Sequence, residues 1–499
     1  MNKWLITLSV LLPTLLEVID TSVVNVSLNH IRGSLSAGID EATWTITAYL
    51  VSNAIIIPLS GWLSRVFGRR RYLLFSVILF TFSSFMCGSS KTLAMLVFFR
   101  ILQGIGGGGM QPLSQAILLE TFPPHQYGMA MAMFGIGIMV GPIVGPVLGG
   151  WITDNWSWPW IFYINIPLGI LSLIMISTFI FDPPYLKHGR EKEEIDYWGI
   201  GLITVGLGCL QVVLDKGQRE DWFQSSFIVW LSVIAAISLI AFVFVELRAK
   251  HPVVDMKVFK DKSFSSANVI QATAFFVMFS SIILLPLFVQ ELMGYTAYLA
   301  GLVMGPGGIA TLCTLPVVGQ LISRKFNPKI ILAFGLCMVA FSSYVASQLN
   351  LSVDFYQVVM PRVFLGLGMG MVFVPLASMA FSTIPKHEMG NATSVFNLNR
   401  NISGSFGVAF MTTLLAQRAQ FHQARLTEQL NPYDMRYQIA VRKLGNPGIY
   451  GQLMRQSNLN AFMDCFYISA IIMLCVIPLI LLLRRPAHMK GKEASEILH

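Results

Sequence analysis

Charge is what this chain has least of. Only 12% of its 499 residues are Asp, Glu, Lys or Arg, about half the share of an average soluble protein. Hydrophobic residues make up 55%, and the mean hydropathy is +0.65. So little charge cannot clothe a water-facing surface of this size, which excludes a soluble enzyme. Cysteine is scarce as well, and all six (Cys87, Cys209, Cys313, Cys337, Cys465 and Cys475) fall inside apolar stretches. Neither a disulfide framework nor a metal-ligand spacing is present. No nucleotide-binding domain can be found to power an ATP-driven cycle, and no cofactor is called for.

What the chain has in abundance is long apolar runs. A bilayer-spanning helix needs roughly 20 mostly apolar residues. Fourteen such runs lie at 5–28, 42–64, 72–90, 92–119, 129–152, 160–181, 197–214, 223–246, 266–290, 298–322, 330–348, 355–383, 391–416 and 461–483. The expected fold is therefore an all-α polytopic membrane protein with 14 transmembrane helices. The 23 prolines and 41 glycines fit bent, closely packed spans, because neighbouring helices satisfy the backbone groups they free. The first run follows Lys3, carries Glu17 and Asp20 and lacks a small-residue cleavage site, so it reads as a retained span.

Basic residues set the orientation. With the N-terminus in the cytoplasm, 21 Lys and Arg fall in cytoplasmic segments and 4 in short outer loops, six more lying in one long outer segment, 417–460. Long translocated segments escape the positive-inside rule, so 21 against 4 is the fair comparison, and it places both termini in the cytoplasm. The net charge of +9 then has a topological origin and implies no nucleic-acid partner.

An internal repeat divides the chain. Arg100-x-x-x-Gly104-x-Gly106, followed by Pro112-Leu113, Pro124 and Gly128, returns about 262 residues later as Arg362-x-x-x-Gly366-x-Gly368, Pro375-Leu376, Pro385 and Gly390. Spans four and twelve thus correspond, leaving an N-terminal six-helix half (1–182), a linker with two inserted helices (183–263) and a C-terminal half (264–499). Repeated halves about a central pathway are the usual architecture of secondary transporters.

Five charges sit mid-span: Glu17, Asp20, Arg100, Arg362 and Arg400. Each costs about 2.5–3.5 kcal/mol in the membrane centre unless paired or hydrated, so they must face an interior cavity or one another. Glu17 and Asp20, three apart, are expected to share a helix face. Out of water a carboxylate holds its proton more tightly, and one that titrates near neutrality can carry a proton across. The competing reading is a structural ion pair between an acid and an arginine that locks spans together. Arg400 lies in Asn397-Leu398-Asn399-Arg400-Asn401, too polar for a lipid-facing strip. Gly104 to Gly109 satisfies the dinucleotide pattern GxGxxG but sits inside an apolar helix, where close helix packing explains it better. Gly137, Gly141, Gly145, Gly149 and Gly150, with Pro142 and Pro146, place small residues on one face of span five, suited to the close approach of another helix.

These motifs together resemble the major facilitator superfamily, and within it the fourteen-span drug:proton antiporters of the EmrB and QacA type. Ile19 to Leu28 is similar to that subfamily's first-span motif, and Leu96-x-x-x-Arg100-x-x-Gln103-Gly104 to the fourth-span motif, whose arginine is implicated in proton coupling. The Gly-Pro series of span five resembles the antiporter motif of exporters. Trp160 to Gly169 and Asn399 to Ser405 also fit. Gly61 to Arg70 resembles the loop motif between spans two and three, except that Arg65 stands where the family usually has aspartate, so the gating ion pair does not carry over. Gly61, Gly68 and Arg70 are still expected to shape that turn.

The resemblance implies proton-coupled efflux of amphipathic drugs or toxic compounds across a bacterial inner membrane. Asp20 would take up the proton, with Glu17 as a second candidate and Arg100 tuning the acid, and Asn25, Gln103, Arg362, Asn397, Asn399 and Arg400 would be intramembrane polar residues or the lining of a substrate cavity. It also implies a periplasmic adaptor and an outer-membrane TolC-like channel, with segment 417–460 either docking that adaptor or forming a solvated cap. Two other readings stay open at the level of sequence: a proton-coupled transporter of one metabolite, and a non-transporting membrane receptor or assembly subunit.

Overall fold

The computed structural model describes residues 2–183, 196–249, 252–431 and 433–484, and every regular element among them is helical. The N-terminal half is built of α1 (Lys3–Ser34), α2 (Ile39–Phe67), α3 (Arg69–Gly88), α4 (Leu93–Gly107), α5 (Met110–Thr121), α6 (Tyr127–Asn155), α7 (Trp160–Tyr163) and α8 (Asn165–Phe179). Two further helices, α9 (Tyr197–Lys216) and α10 (Ser226–Arg248), lead to α11 (Lys262–Leu287), α12 (Ala297–Ser323), α13 (Pro328–Ala346), α14 (Phe355–Phe381), α15 (Met389–Glu428) and α16 (Met435–Val476). The expected fourth span is α4 plus α5, broken within Gly106 to Gly109, where four glycines in a row leave the helix without side-chain support.

Thirteen helical stretches among the described residues are long and apolar enough to cross a membrane. The expected run 391–416 lies in α15, which is 40 residues long but falls short of that apolarity because of its Asn, Ser, Thr and Arg residues. Segment 417–460 differs from an outer loop: α15 continues to Glu428, and α16 begins at Met435 and bends at Gly445, whose φ of 70° suits a residue without a Cβ.

The first and last described residues and alternate turns share one end of the bundle, the termini face. Lys3 Nζ donates to Gln126 Oε1 at 2.8 Å, Lys329 Nζ to Leu481 O at 3.3 Å and the Arg484 amide to Ser263 Oγ at 3.1 Å. The repeat is visible in what its glycines touch. Gly104 is pressed on Tyr49 and Ser52 of α2, and Gly366 on Gly307 and Thr311 of α12. A Cβ on Gly106 would lie 2.7 Å from Phe80 of α3, and one on Gly368 would lie 2.7 Å from Val339 of α13. The same pair of spans flanks the same glycine in each half. Helix α9 lies against both halves, with Lys216 Nζ donating to Asp40 O of the α2 entry at 3.2 Å and Gln211 Nε2 to Ser405 Oγ of α15 at 2.9 Å.

Candidate functional site

The two acids of α1 part company. Three residues advance a helix by roughly 300°, enough for Asp20 to turn toward α4 and α8 while Glu17 faces the centre of the molecule. Asp20 is wholly buried and Arg100 is 1% exposed. The carboxylate accepts from Arg100 Nη1 at 2.6 Å, Gln103 Nε2 at 2.8 Å and Asn165 Nδ2 at 2.7 Å. Arg100 is held in turn: Nε donates to Thr45 O at 3.0 Å, Nη1 also reaches Gln103 Oε1 at 2.8 Å, and the guanidinium lies 4.1 Å from the Tyr49 ring centroid. Gln103 therefore belongs to this sealed knot rather than to a cavity wall.

Glu17 lines a cavity of about 340 Å³ between the halves, within the size range of small-molecule sites. Its Oε1 accepts from Asn53 Nδ2 at 3.0 Å, while Oε2 has no hydrogen-bond partner among the described residues. Asn25, Asn397, Arg400, Asn401 and Arg362 line the same cavity, among Phe275, Met278, Phe279, Ile282 and Met304. Arg400 donates to Gln111 Oε1, and its charge acts on Glu17. Asn397 Nδ2 donates to Gln115 Oε1 at 2.6 Å, across the two halves. Asn399 is absent from the cavity wall: one residue before Arg400, it is rotated onto α11 and donates to Asn268 O at 2.8 Å. Arg362 Nη1 donates to Ser281 Oγ at 3.2 Å and has no carboxylate within ion-pair distance among the described residues.

The cavity is shut toward the termini face by contacts between halves. Gly61 lies so close to α15 that a Cβ there would stand 2.9 Å from Gly390 O. Ser60 Oγ and Ser394 Oγ are 2.8 Å apart, and Gly128 of α6 meets Gly319 and Ile322 of α12.

The Major Facilitator Superfamily model matches residues 10–408. A multidrug export protein EmrB of Haemophilus influenzae is 39% identical over 86% of this chain and 84% of its own. Escherichia coli K12 EmrB is 34% identical over 97% of this chain and 95% of its own. Among solved structures, the human organic anion transporter MFSD10 superposes with a TM-score of 0.65 at 12% identity, covering 96% of this chain and all of its own; at that identity the likeness is one of fold alone. The chain belongs to the major facilitator superfamily. It is a multi-pass membrane transporter, not an enzyme.

In this member of the superfamily the small-residue series of α6 faces its own half. Gly137 packs on Leu11, Gly141 on Val18, Gly145 on Ser22 and Gly149 on Val23, so the partner admitted by the missing side chains is α1, the helix that carries both acids. Gly150 faces open space, and Pro142 and Pro146 continue the helical backbone, their side chains lying outside the described set. The other face of α6 meets α12 of the opposite half through Ile143 on Gly308 and Gly135 on Leu315.

Of the loop-motif residues, Gly68 does shape the turn, with φ 86°. Gly61 does not: it lies seven residues earlier, in the contact between halves. The Arg70 amide donates to Asp182 Oδ1 at 2.9 Å. Arg65 Nη2 donates to Pro252 O at 3.2 Å, and the nearby ion pair is Arg69 with Glu120.

Several residues that complete the site were not singled out from sequence: Asn53 on Glu17, Gln111 on Arg400, Tyr49 over Arg100 and Ser281 on Arg362. Asn53 and Gln111 carried a usable signal, since an amide inside an apolar span needs a partner. Tyr49 and Ser281 carried none, being ordinary residues of a membrane helix.

Proposed function

We propose that this protein exports amphipathic compounds in exchange for protons, working in the bacterial cytoplasmic membrane with both termini inside. The observation that carries this reading is Glu17, which is 5% exposed and sits in the wall of an apolar cavity between halves with one carboxylate oxygen unpartnered among the described residues. A carboxylate in the wall of a cavity, with an oxygen not bonded to a protein donor, is placed to take up and release a proton. The names of the EmrB relatives support drug efflux as the work done. Each proton crossing a 100 mV potential supplies about 2.3 kcal/mol, enough for a substrate gradient of roughly fiftyfold.

The Asp20–Arg100 pair holds α1 to α4 and couples Glu17's protonation to helix movement, with Asn25, Asn397 and Arg400 as cavity lining. The halves at 1–182 and 264–499 rock about that cavity, with 183–263 riding between them and a periplasmic adaptor with its outer-membrane channel taking the exported compound onward from the helical projection at 417–460.

The test is proton-driven dye efflux in proteoliposomes holding wild type or Glu17→Gln at equal protein content. Wild type is expected to pump under an imposed pH gradient and stop when a protonophore is added. Glu17→Gln is expected to bind the dye yet lose pumping. Full gradient-driven efflux by Glu17→Gln overturns the assignment of the proton carrier.

A further inference from the structure

One strip of α15 meets the opposite half at four successive points. Gly390 touches Gly61, Ser394 Oγ lies 2.8 Å from Ser60 Oγ, Asn397 Nδ2 donates to Gln115 Oε1 at 2.6 Å, and Arg400 donates to Gln111 Oε1. Spacings of four, three and three keep these residues on one helical face. Their partners Gln111 and Gln115 are four apart on α5, directly after the glycine break. The strip runs from the termini face to the cavity, and Arg400, its cavity end, is the one charge in it. That guanidinium is bonded to a neutral amide, and the one acid whose charge acts on it among the described residues is Glu17, on α1 of the other half.

The charged and titratable groups that face Glu17 are Tyr49 of α2, Asp20 of its own helix and Arg400. Asp20 is tied to Arg100, and Tyr49 lies on that same guanidinium. Arg362 lines the same cavity from α14, but no acid acts on it. The other helices around Glu17 present neutral groups: Asn53 from α2, Gln111 from α5, the backbone of Gly107 after α4, and Ile138 and Met139 from α6; Asn165 of α8 is turned to Asp20. A change in the charge of Glu17 is therefore felt across the interface by Arg400.

We infer that Arg400 ties the proton to the movement of the halves: it holds the termini face shut while Glu17 is ionised and lets that face open when Glu17 takes up a proton. The inference rests on the transport reading above, because it treats Glu17 as the proton carrier. Ionised Glu17 and Arg400 attract each other across the interface in a medium of low dielectric, and the attraction adds to the neutral contacts of the strip. A proton arriving from the outer side on Glu17 removes it. Arg400 is then a buried charge without a counter-ion, which favours a state in which that end of the strip meets water. An exchanger needs such a rule, since a carrier that has released its substrate outside and taken no proton must stay shut toward the inside. The neutral contacts at 390, 394 and 397 cannot impose it, because they do not change with the proton.

The experiment reads the width of the termini face against pH. Spin labels carried on keto-phenylalanine replace Phe67, at the end of α2, and Phe326, in the turn between α12 and α13; both are 55% exposed and they belong to opposite halves. Distance distributions are recorded on full-length protein in phosphatidylcholine nanodiscs between about pH 5 and pH 9. Wild type is expected to shift to the longer distance as pH falls, with the open-to-closed ratio changing by about tenfold or more. Arg400→Gln and Glu17→Gln are expected to show the wild type's acid-end distribution at every pH, and the double variant to match either one. Arg400→Lys, which keeps the charge, is expected to retain part of the pH response. The inference is overturned by an Arg400→Gln protein that follows pH as wild type does, by either single variant staying shut at every pH, or by a wild type whose distance ignores pH. Proton-driven dye efflux is read separately. Pumping by wild type without pH-dependent opening sinks this inference alone, and pH-dependent opening without pumping sinks the transport reading while leaving the link between Glu17 and Arg400 standing.

Discussion

Replacing Asp20 by asparagine separates the two acids of α1 by their physical work. The change keeps size and removes charge. In the native protein the carboxylate accepts three hydrogen bonds at 2.6, 2.8 and 2.7 Å from Arg100, Gln103 and Asn165. Asparagine has one acceptor oxygen and places an NH2 against groups that are themselves donors, leaving the Arg100 charge without a counter-ion in a site closed to water. Removing one partner of a buried pair costs about 3–5 kcal/mol. Glu17→Gln should cost less than that, because glutamine can keep the Asn53 bond and Arg400, whose charge acts on Glu17, retains its bond to Gln111 Oε1. The assay is thermal unfolding of purified protein in detergent, followed by tryptophan fluorescence, for both variants and for Asp20→Asn with Arg100→Gln. Asp20→Asn should unfold at a clearly lower temperature, Glu17→Gln close to wild type, and the double variant above Asp20→Asn alone, since the stranded charge is gone. If Glu17→Gln destabilises as much as Asp20→Asn, or the double variant is worse than either single change by their sum, the assignment of Asp20 to a structural ion pair is wrong.

Other perturbations probe the helix contacts. Gly141→Ala drives a methyl into Val18 of α1 and should cost about 1–3 kcal/mol, while Gly150→Ala, with nothing within 4 Å, should be neutral; the same unfolding assay compares them. Gly61→Leu cannot fit against Gly390 O, so it should hold the termini face open. A cysteine placed at Ser394 should then react with a maleimide many times faster than in the Gly61 background, and an unchanged rate would refute the closure. Gly445→Ala strains a position at φ 70° and ψ 168°, a combination almost confined to glycine, by about 1–3 kcal/mol and should loosen the bend of α16, visible as faster proteolysis near residue 445 with the rest of the chain intact.

How much of this was legible in advance depended on whether the signal was periodic. The repeat was, because Arg100 and Arg362 head identical glycine spacings, and those glycines land on matching helices. The cavity strip of α15 was legible as polarity out of place, although Asn399 shows the limit: within a polar cluster, a single step of 100° decides whether an amide lines the cavity or braces α11. The split between Glu17 and Asp20 was not legible, since a three-residue spacing fits both a shared face and a divergence of about 60°, and only the positions of α4 and α8 choose between them. The helical nature of 417–460 was hidden for another reason. A polar helix lacks the apolar signature by which spans are found, and sequences such as Gln417 to Glu428 look like any solvated segment.

The asymmetry between halves follows from what each must do. A transporter that rocks two repeats needs each repeat to move as a body, and the buried ion pair of Asp20 with Arg100, with its bonds to Thr45 O and Asn165, ties together α1, α2, α4 and α8. Its cost is that the arginine so used cannot touch anything that passes through. In the second half Arg362 makes no such ion pair among the described residues, and what remains is the glycine contact both halves share: Gly366 lies against Gly307 O, and the single Thr311 hydroxyl hydrogen is shared between Gly307 O and Gly366 O, each 3.0 Å away. A joint of backbone and hydroxyl groups holds α12 to α14 without consuming the arginine, and so leaves its charge at the cavity. Thr311→Val keeps shape and removes the shared bond, so it should lower the unfolding temperature by an amount that a loss of about 1–2 kcal/mol produces. An unchanged unfolding temperature would show that the close glycine contact holds α12 to α14 without the hydroxyl.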